Sequence, residues 1–227
     1  MSRELSKTVN TSNKWMLCDE KIILFLNSLK GRLNSSSKPY KFNLYSFSLI
    51  CFSFLKVIYL FLLQYFSMRI NNKEIPEDIL IETLANHHHK NYFKFINKNK
   101  EKSYLLIKCF EKKSFTGILK LSFVEIFSYY SKNLSEINNL LSTKMPKELM
   151  KLIESNAYKI LPIYSYYCAL LKGLKNKNPQ IKIYHGGAEL FSIASELLNV
   201  KNCFLSHGLI METNKLITTI LIFIIAI

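Results

Sequence analysis

The sequence predicts an α/β chain, with a mainly helical N-terminal region leading into a parallel β–α–β unit. Two observations carry this. Before residue 175 the apolar residues recur mostly at helical spacing. From Ile181 the character changes to "IKIYHGGAELFSIASELLNVKNCFLSHGL", a β-branched run, a Gly-Gly, an amphipathic segment and a second apolar run. Four regions follow: 1–43 with one helix, a helical region 44–175, the β–α–β unit 176–210, and an apolar tail 211–227.

Taken in order, Asp19 can cap a helix through about Leu33, and "NSSSKP" then breaks the chain. Leu44 to Phe66, "LYSFSLICFSFLKVIYLFLLQYF", is the most apolar segment. As a helix it would measure roughly 34 Å, enough to span a bilayer. Lys56 near its centre opposes insertion by about 2.5–3.5 kcal/mol, and Ser46, Ser48, Ser53 and Gln64 add to that cost. The balance favours a helix that is buried or lies against a membrane surface. Pro76-Glu77-Asp78 has the composition of a helix start. His87-His88-His89 follow, but consecutive side chains on a helix diverge by about 100°. With no Cys, Asp or Glu three or four residues on, they read as a solvated helix end rather than a metal site.

Residues 103 to 141 read as one or two helices, with Phe115, Ile118, Leu119, Phe123, Ile126, Phe127 and Tyr130 at helical spacing. Pro146 opens the next helix, Pro162 ends or kinks it, and the pattern resumes to Gly173. "KNKNPQ" is a polar turn.

In the final unit, "IKIY" suits a buried parallel strand and ends at His185-Gly186-Gly187. A helix over 188–199 and a strand over 202–206 follow, ending at His207-Gly208. A strand–helix–strand crossover of this kind sets both histidines at the carboxyl ends of parallel strands, where open α/β sheets bind ligands. Three of the six glycines fall here, letting backbone N–H groups approach a ligand. The two His-Gly pairs therefore read as the rim of one site, with both side chains open to a cleft.

The excess of 31 Lys+Arg over 16 Asp+Glu, a formal charge of +15, favours anionic partners. Nucleic acid is not the expected one, because the aromatics lie at core spacing and no recognition helix or zinc-knuckle spacing is present. An anionic membrane surface and a phosphorylated substrate remain. Five scattered cysteines and no CxxC read as reduced thiols of a cytoplasmic protein, associated with the inner face of the membrane if the apolar run lies there.

The stretch "IYHGGAELFSIASELLNVKNCFLSHGLI" resembles the end of the N-terminal half of bacterial surface-polysaccharide transferases. These are the sialyltransferase-like enzymes of capsule and lipopolysaccharide biosynthesis, with the two-Rossmann (GT-B) architecture. A more distant likeness is to the glycerophosphotransferases of teichoic-acid synthesis, in which a His-Gly at a strand end carries a general-base histidine. The resemblance implies a Rossmann-like unit, transfer of a sugar from a nucleotide donor to a glycan acceptor, and His207 as base. His185, Gly186, Gly187 and Gly208 would bind substrate. No metal or other cofactor is expected. Where that family continues into a donor-binding half, this sequence runs into "LIMETNKLITTILIFIIAI". The apolar tail reads as a truncated or frameshifted end, an incomplete GT-B architecture, so no transfer is expected without a second domain. The alternative is a non-enzymatic, membrane-associated helical protein anchored by Leu44–Phe66.

Overall fold

A computed structural model describes Met16 and residues 44–67, 75–82, 92–98, 103–108, 119–142, 147–185, 190–205 and 210–212. Among these residues the fold is mixed α/β, with four α-helices and a sheet of four parallel strands extended by a fifth, antiparallel one. In chain order the elements are α1 (Leu44–Ser67), β1 (Asp78–Glu82), a π-helical turn (Tyr92–Ile96), β2 (Tyr104–Lys108) and α2 (Phe123–Leu141). They continue as α3 (Lys147–Lys177), β3 (Lys182–His185), α4 (Leu190–Leu197), β4 (Lys201–Leu205) and β5 (Ile210–Glu212). The sheet order is β2-β1-β3-β4-β5.

The expected parallel pairing of the two final strands is present, with Lys182 opposite Lys201 and His185 opposite Phe204. The stretch 75–108 departs from the sequence reading. Pro76-Glu77-Asp78 leads into β1 rather than a helix, and "YLLIK" within the expected helical stretch 103–141 forms β2. The reason is burial. In "DILIE" Ile79, Leu80 and Ile81 are all buried, which a five-residue strand covered on both faces can satisfy. Acidic residues at its start mimic the opening turn of a helix. The C-terminal unit therefore belongs to a sheet that draws half of its parallel strands from the region read as helical.

The two faces of the sheet carry different cores. Alternation sends Ile79, Ile81, Ile107 and Ile183 to the face that packs with α1, α2, α3 and α4. Leu80, Tyr184, Cys203 and Leu205 point the other way, under Tyr92, Phe93 and Ile96 of the π-helical turn. The strand order steps one way from β1 to β2 and back past β1 to β3. Connections of one hand must then cross opposite faces. The two cores obey this: the β1–β2 connection covers one face and the helices cover the other.

Within the helical layer α3 is central, packing against α1, α2 and α4. Tyr164 through Leu171 are buried without a break, so this segment is enclosed on every side. Pro162 lacks an N–H for the Tyr158 carbonyl, yet the helix runs through it from Lys147 to Lys177. Enclosure supplies the stability the missing bond does not. Gly173 is inside this helix, not at its end. A Cβ there would collide with the Leu119 side chain, so the glycine serves a close approach.

Helix α2 starts at a capping box. Ser122 accepts from the Glu125 backbone N–H at 3.2 Å, and the Glu125 carboxylate accepts from the Ser122 N–H at 2.7 Å. The expected apolar residues Phe115 and Ile118 lie outside the described residues, as do the 19–33 helix, His87–His89 and the 213–227 stretch of the tail. Residues 211 and 212 of that expected tail belong with Ile210 to β5, and Ile210 stands opposite Leu205.

Candidate functional site

Parallel strands align their carboxyl ends along one edge of the sheet, and the register states which residues meet there. Leu80 stands opposite Tyr184, so His185 is level with Ile81 and one position short of Glu82. Glu82 in turn stands opposite Lys108 at the end of β2. On the other side His185 is opposite Phe204 of β4. Adjacent strands are about 4.8 Å apart, so the ends of β1 and β3 form one short stretch of edge. The strand order reverses at this pair, because the chain moves to β2 on one side of β1 and to β3 on the other. A reversal of strand order is the preferred ligand position of open α/β sheets.

His185 is fully buried, not open to a cleft. Alternation explains it: Ile181, Ile183 and His185 share the helix-facing side of β3, whereas Lys182 and Tyr184 face away. The other residues assigned to the site, Gly186, Gly187, His207 and Gly208, lie outside the described residues. Their flanks are described. The chain enters 186–189 from the end of β3 and leaves it into α4, and it enters 206–209 from the end of β4 and returns as β5.

Beneath the edge, α4 and β4 are stitched by a buried polar cluster that the sequence reading misses. Helical spacing sets Ser192 and Ser195 on the side opposite the apolar Leu190, Ile193, Ala194 and Leu197, yet both are fully buried. Asn202 Nδ2 donates to the Ser192 carbonyl at 3.0 Å, and the Ser195 hydroxyl lies 2.5 Å from Asn202 Oδ1. The spacing Ser192-Ser195 followed by Asn202 is the signal that was available. At the far end of α4, Asn199 adopts a left-handed φ of 51°, and Lys175 Nζ donates to the Leu198 carbonyl at 2.8 Å. A cation on the last carbonyls of a helix complements its dipole. These contacts hold the crossover rigidly to α3 and leave its N-terminal end toward the candidate edge.

A second polar group sits at the opposite, amino edge. Asp78 is buried and accepts from the Tyr92 hydroxyl at 2.9 Å. Burial, then this bond, pushes the Tyr92 phenol well above its ordinary range, and burial and Asp78 do the same to Tyr184. Neutral phenols that donate to a carboxylate fix the π-helical turn on β1. The arrangement is explained by packing. Burial also pushes the Cys168 thiol up to about 12, which makes it inert as a nucleophile. Among the described residues no group of three or more His, Cys, Asp and Glu is placed to hold a metal ion.

The candidate site is thus the carboxyl edge at β1 and β3, with buried His185 ending β3 and Glu82 ending β1. No protein-family model matches the chain, and no curated protein or solved structure matches it.

Proposed function

We propose that the chain is a Rossmann-like half of a glycosyltransferase acting on a bacterial surface glycan, completed by a second domain that binds the nucleotide sugar. The observation that carries this is the reversal of strand order between β1 and β3, with His185-Gly186-Gly187 leaving the edge at that point. The support from sequence is the paired His-Gly of His207-Gly208 at the end of the neighbouring strand.

In this reading His207 is the base. Its imidazole takes the proton of an acceptor hydroxyl, the oxygen attacks the anomeric carbon, and the nucleotide departs with the bonding electrons. Histidine suits the step because its ordinary pKa lies near neutrality. Gly186, Gly187 and Gly208 let backbone N–H groups approach the acceptor or the donor phosphates. His185, buried at the end of β3, is a positioning residue.

The test joins the chain to the nucleotide-sugar half of a two-Rossmann transferase and follows nucleotide release in the presence of acceptor glycan. His207→Ala is expected to lower turnover by about 10²–10⁴ with an unchanged urea midpoint. His185→Ala is expected to lower the midpoint and raise KM. A His207→Ala hybrid that transfers at the parental rate defeats the assignment. A second reading, a membrane-associated protein without catalysis, is favoured by the outward aromatic face of α1 and would stand if every hybrid is inactive.

A further inference from the structure

Helix α1 is inside out. Its buried positions are Ser46, Ser53, Val57, Leu60 and Gln64, three of the five polar. Its exposed positions include Tyr45, Phe47, Phe52, Leu55, Tyr59, Leu62, Tyr65 and Phe66, with Phe52 64 % and Phe66 80 % accessible. At 100° per residue the buried set occupies about 60° of the helix circumference and the exposed apolar set about 180°. The neighbouring helix extends this surface: Val124 and Phe127 of α2 are exposed, and Phe127 packs edge-on against Phe54.

The polar inner face is committed to the domain. Gln64 Nε2 donates to the Leu121 carbonyl at 3.0 Å, and the Tyr130 hydroxyl donates to the Ile50 carbonyl at 3.3 Å. These two bonds pin α1 at residues 50 and 64, a length of about 21 Å. By length and composition α1 could cross a membrane. A helix held over that length against α2 and α3 cannot also be surrounded by lipid.

We infer that the outward face of α1, together with Val124 and Phe127, lies flat in the headgroup region of an anionic bilayer. Three features select this occupant. The apolar face is far wider than the narrow seam through which two helices of identical copies would pair. It is rich in tyrosine and phenylalanine, and tyrosine carries a hydroxyl that suits the membrane–water boundary. The chain's charge of +15 includes Lys38 and Lys41 before the helix and Arg69 and Lys73 after it, complementary to acidic lipids. The inference does not depend on the sugar-transfer reading.

The test is flotation of the full chain with phosphatidylcholine vesicles, with and without phosphatidylglycerol. Binding is expected to the acidic vesicles and to weaken at least tenfold without phosphatidylglycerol or in high salt. The triple variant Phe52→Asp, Leu55→Asp, Tyr59→Asp is expected to bind at least about a hundredfold more weakly with an undiminished urea midpoint. Depth is read from Tyr45→Trp, Leu55→Trp and Leu62→Trp, each with Trp15→Phe, by brominated-lipid quenching. Flat insertion predicts the same shallow depth at all three positions. A Leu55→Trp signal at the bilayer centre, with shallow ends, overturns the inference in favour of a spanning helix. Three other outcomes overturn it: equal binding by the triple variant, equal binding to both vesicle types, or an apolar face that only drives self-association or is covered by residues 216–227.

Discussion

Helices α1 and α3 lie side by side in one layer and obey opposite rules. Helix α1 is the more apolar in sequence, yet most of its large side chains are exposed. Helix α3 carries lysines, two glutamates, asparagines and a proline, yet Tyr164–Leu171 is enclosed without a break. Hydrophobicity did not decide which helix became the core. Position did: α3 is the last helix of the connection between β2 and β3, which must cross the sheet, whereas α1 precedes β1 and is added from outside. Its polar residues meet the domain, and its apolar residues are left for another medium. A very apolar helix is therefore evidence about its surroundings, not about its depth in the fold.

The comparison predicts a large asymmetry in stability. Leu171 of α3 is fully buried, and Leu55 of α1 is 62 % accessible. Leu171→Ala is expected to cost about 2–5 kcal/mol through lost burial and a residual cavity. Leu55→Ala is expected to stay within about 0.5 kcal/mol. Urea unfolding without detergent or lipid measures both. Equal costs would mean that α1 is as deeply packed as α3 and would remove the basis for an outward face.

A smaller effect sharpens the account of what holds α1. Gln64→Leu keeps the side-chain volume and removes the donor to the Leu121 carbonyl. A buried carbonyl that loses a partner is expected to cost about 1–3 kcal/mol. An apolar substitution that destabilises the most apolar helix of the chain would show that polar contacts fix its orientation. A neutral or stabilising result would mean that the inner face is held by apolar packing at Val57 and Leu60 alone.

The same contrast explains what was legible in the sequence. The β3–α4–β4 unit could be read because "IKIY" is β-branched and aromatic, Gly-Gly follows it in the sequence, and "CFL" is a second apolar run after the amphipathic segment. Helix α1 was legible as a helix but not in its facing, since its period is blurred by apolar residues on nearly every position. Strands β1 and β2 were missed because five-residue apolar runs look alike in a strand and a buried helix. Their acidic, Pro-led entry then tipped the choice. With β1 unseen, the reversal of strand order beside His185 was invisible, and so was Glu82 at the neighbouring strand end. Of the candidate site, the place of His185 at the end of β3 was legible, but not the burial of its side chain, which depends on which side of β3 faces the helices.

The smallest expected effect lies at the boundary between the two helices. Lys56 of α1 is half buried beside Lys159 of α3, and desolvation followed by repulsion from Lys159 lowers its pKa. The ordinary value for the lysine is 10.5. A lowered pKa means that the folded state disfavours the charged ammonium, so Lys56 costs stability while it is protonated. That cost is full below its folded pKa, shrinks as pH rises through it, and is gone above the unfolded value. Lys56→Met keeps the aliphatic packing and removes the charge. Because Lys56 is only half buried and Lys159 is exposed, water and salt screen the repulsion, and the gain at neutral pH is expected to be at most about 0.5 kcal/mol. The gain should fade as pH rises toward 10.5, be absent above it, and shrink in high salt, as read from urea midpoints of variant and parent across pH. A variant that is less stable at neutral pH would mean that the ammonium is favourably held, and that the seam between α1 and α3 is more polar than its burial suggests.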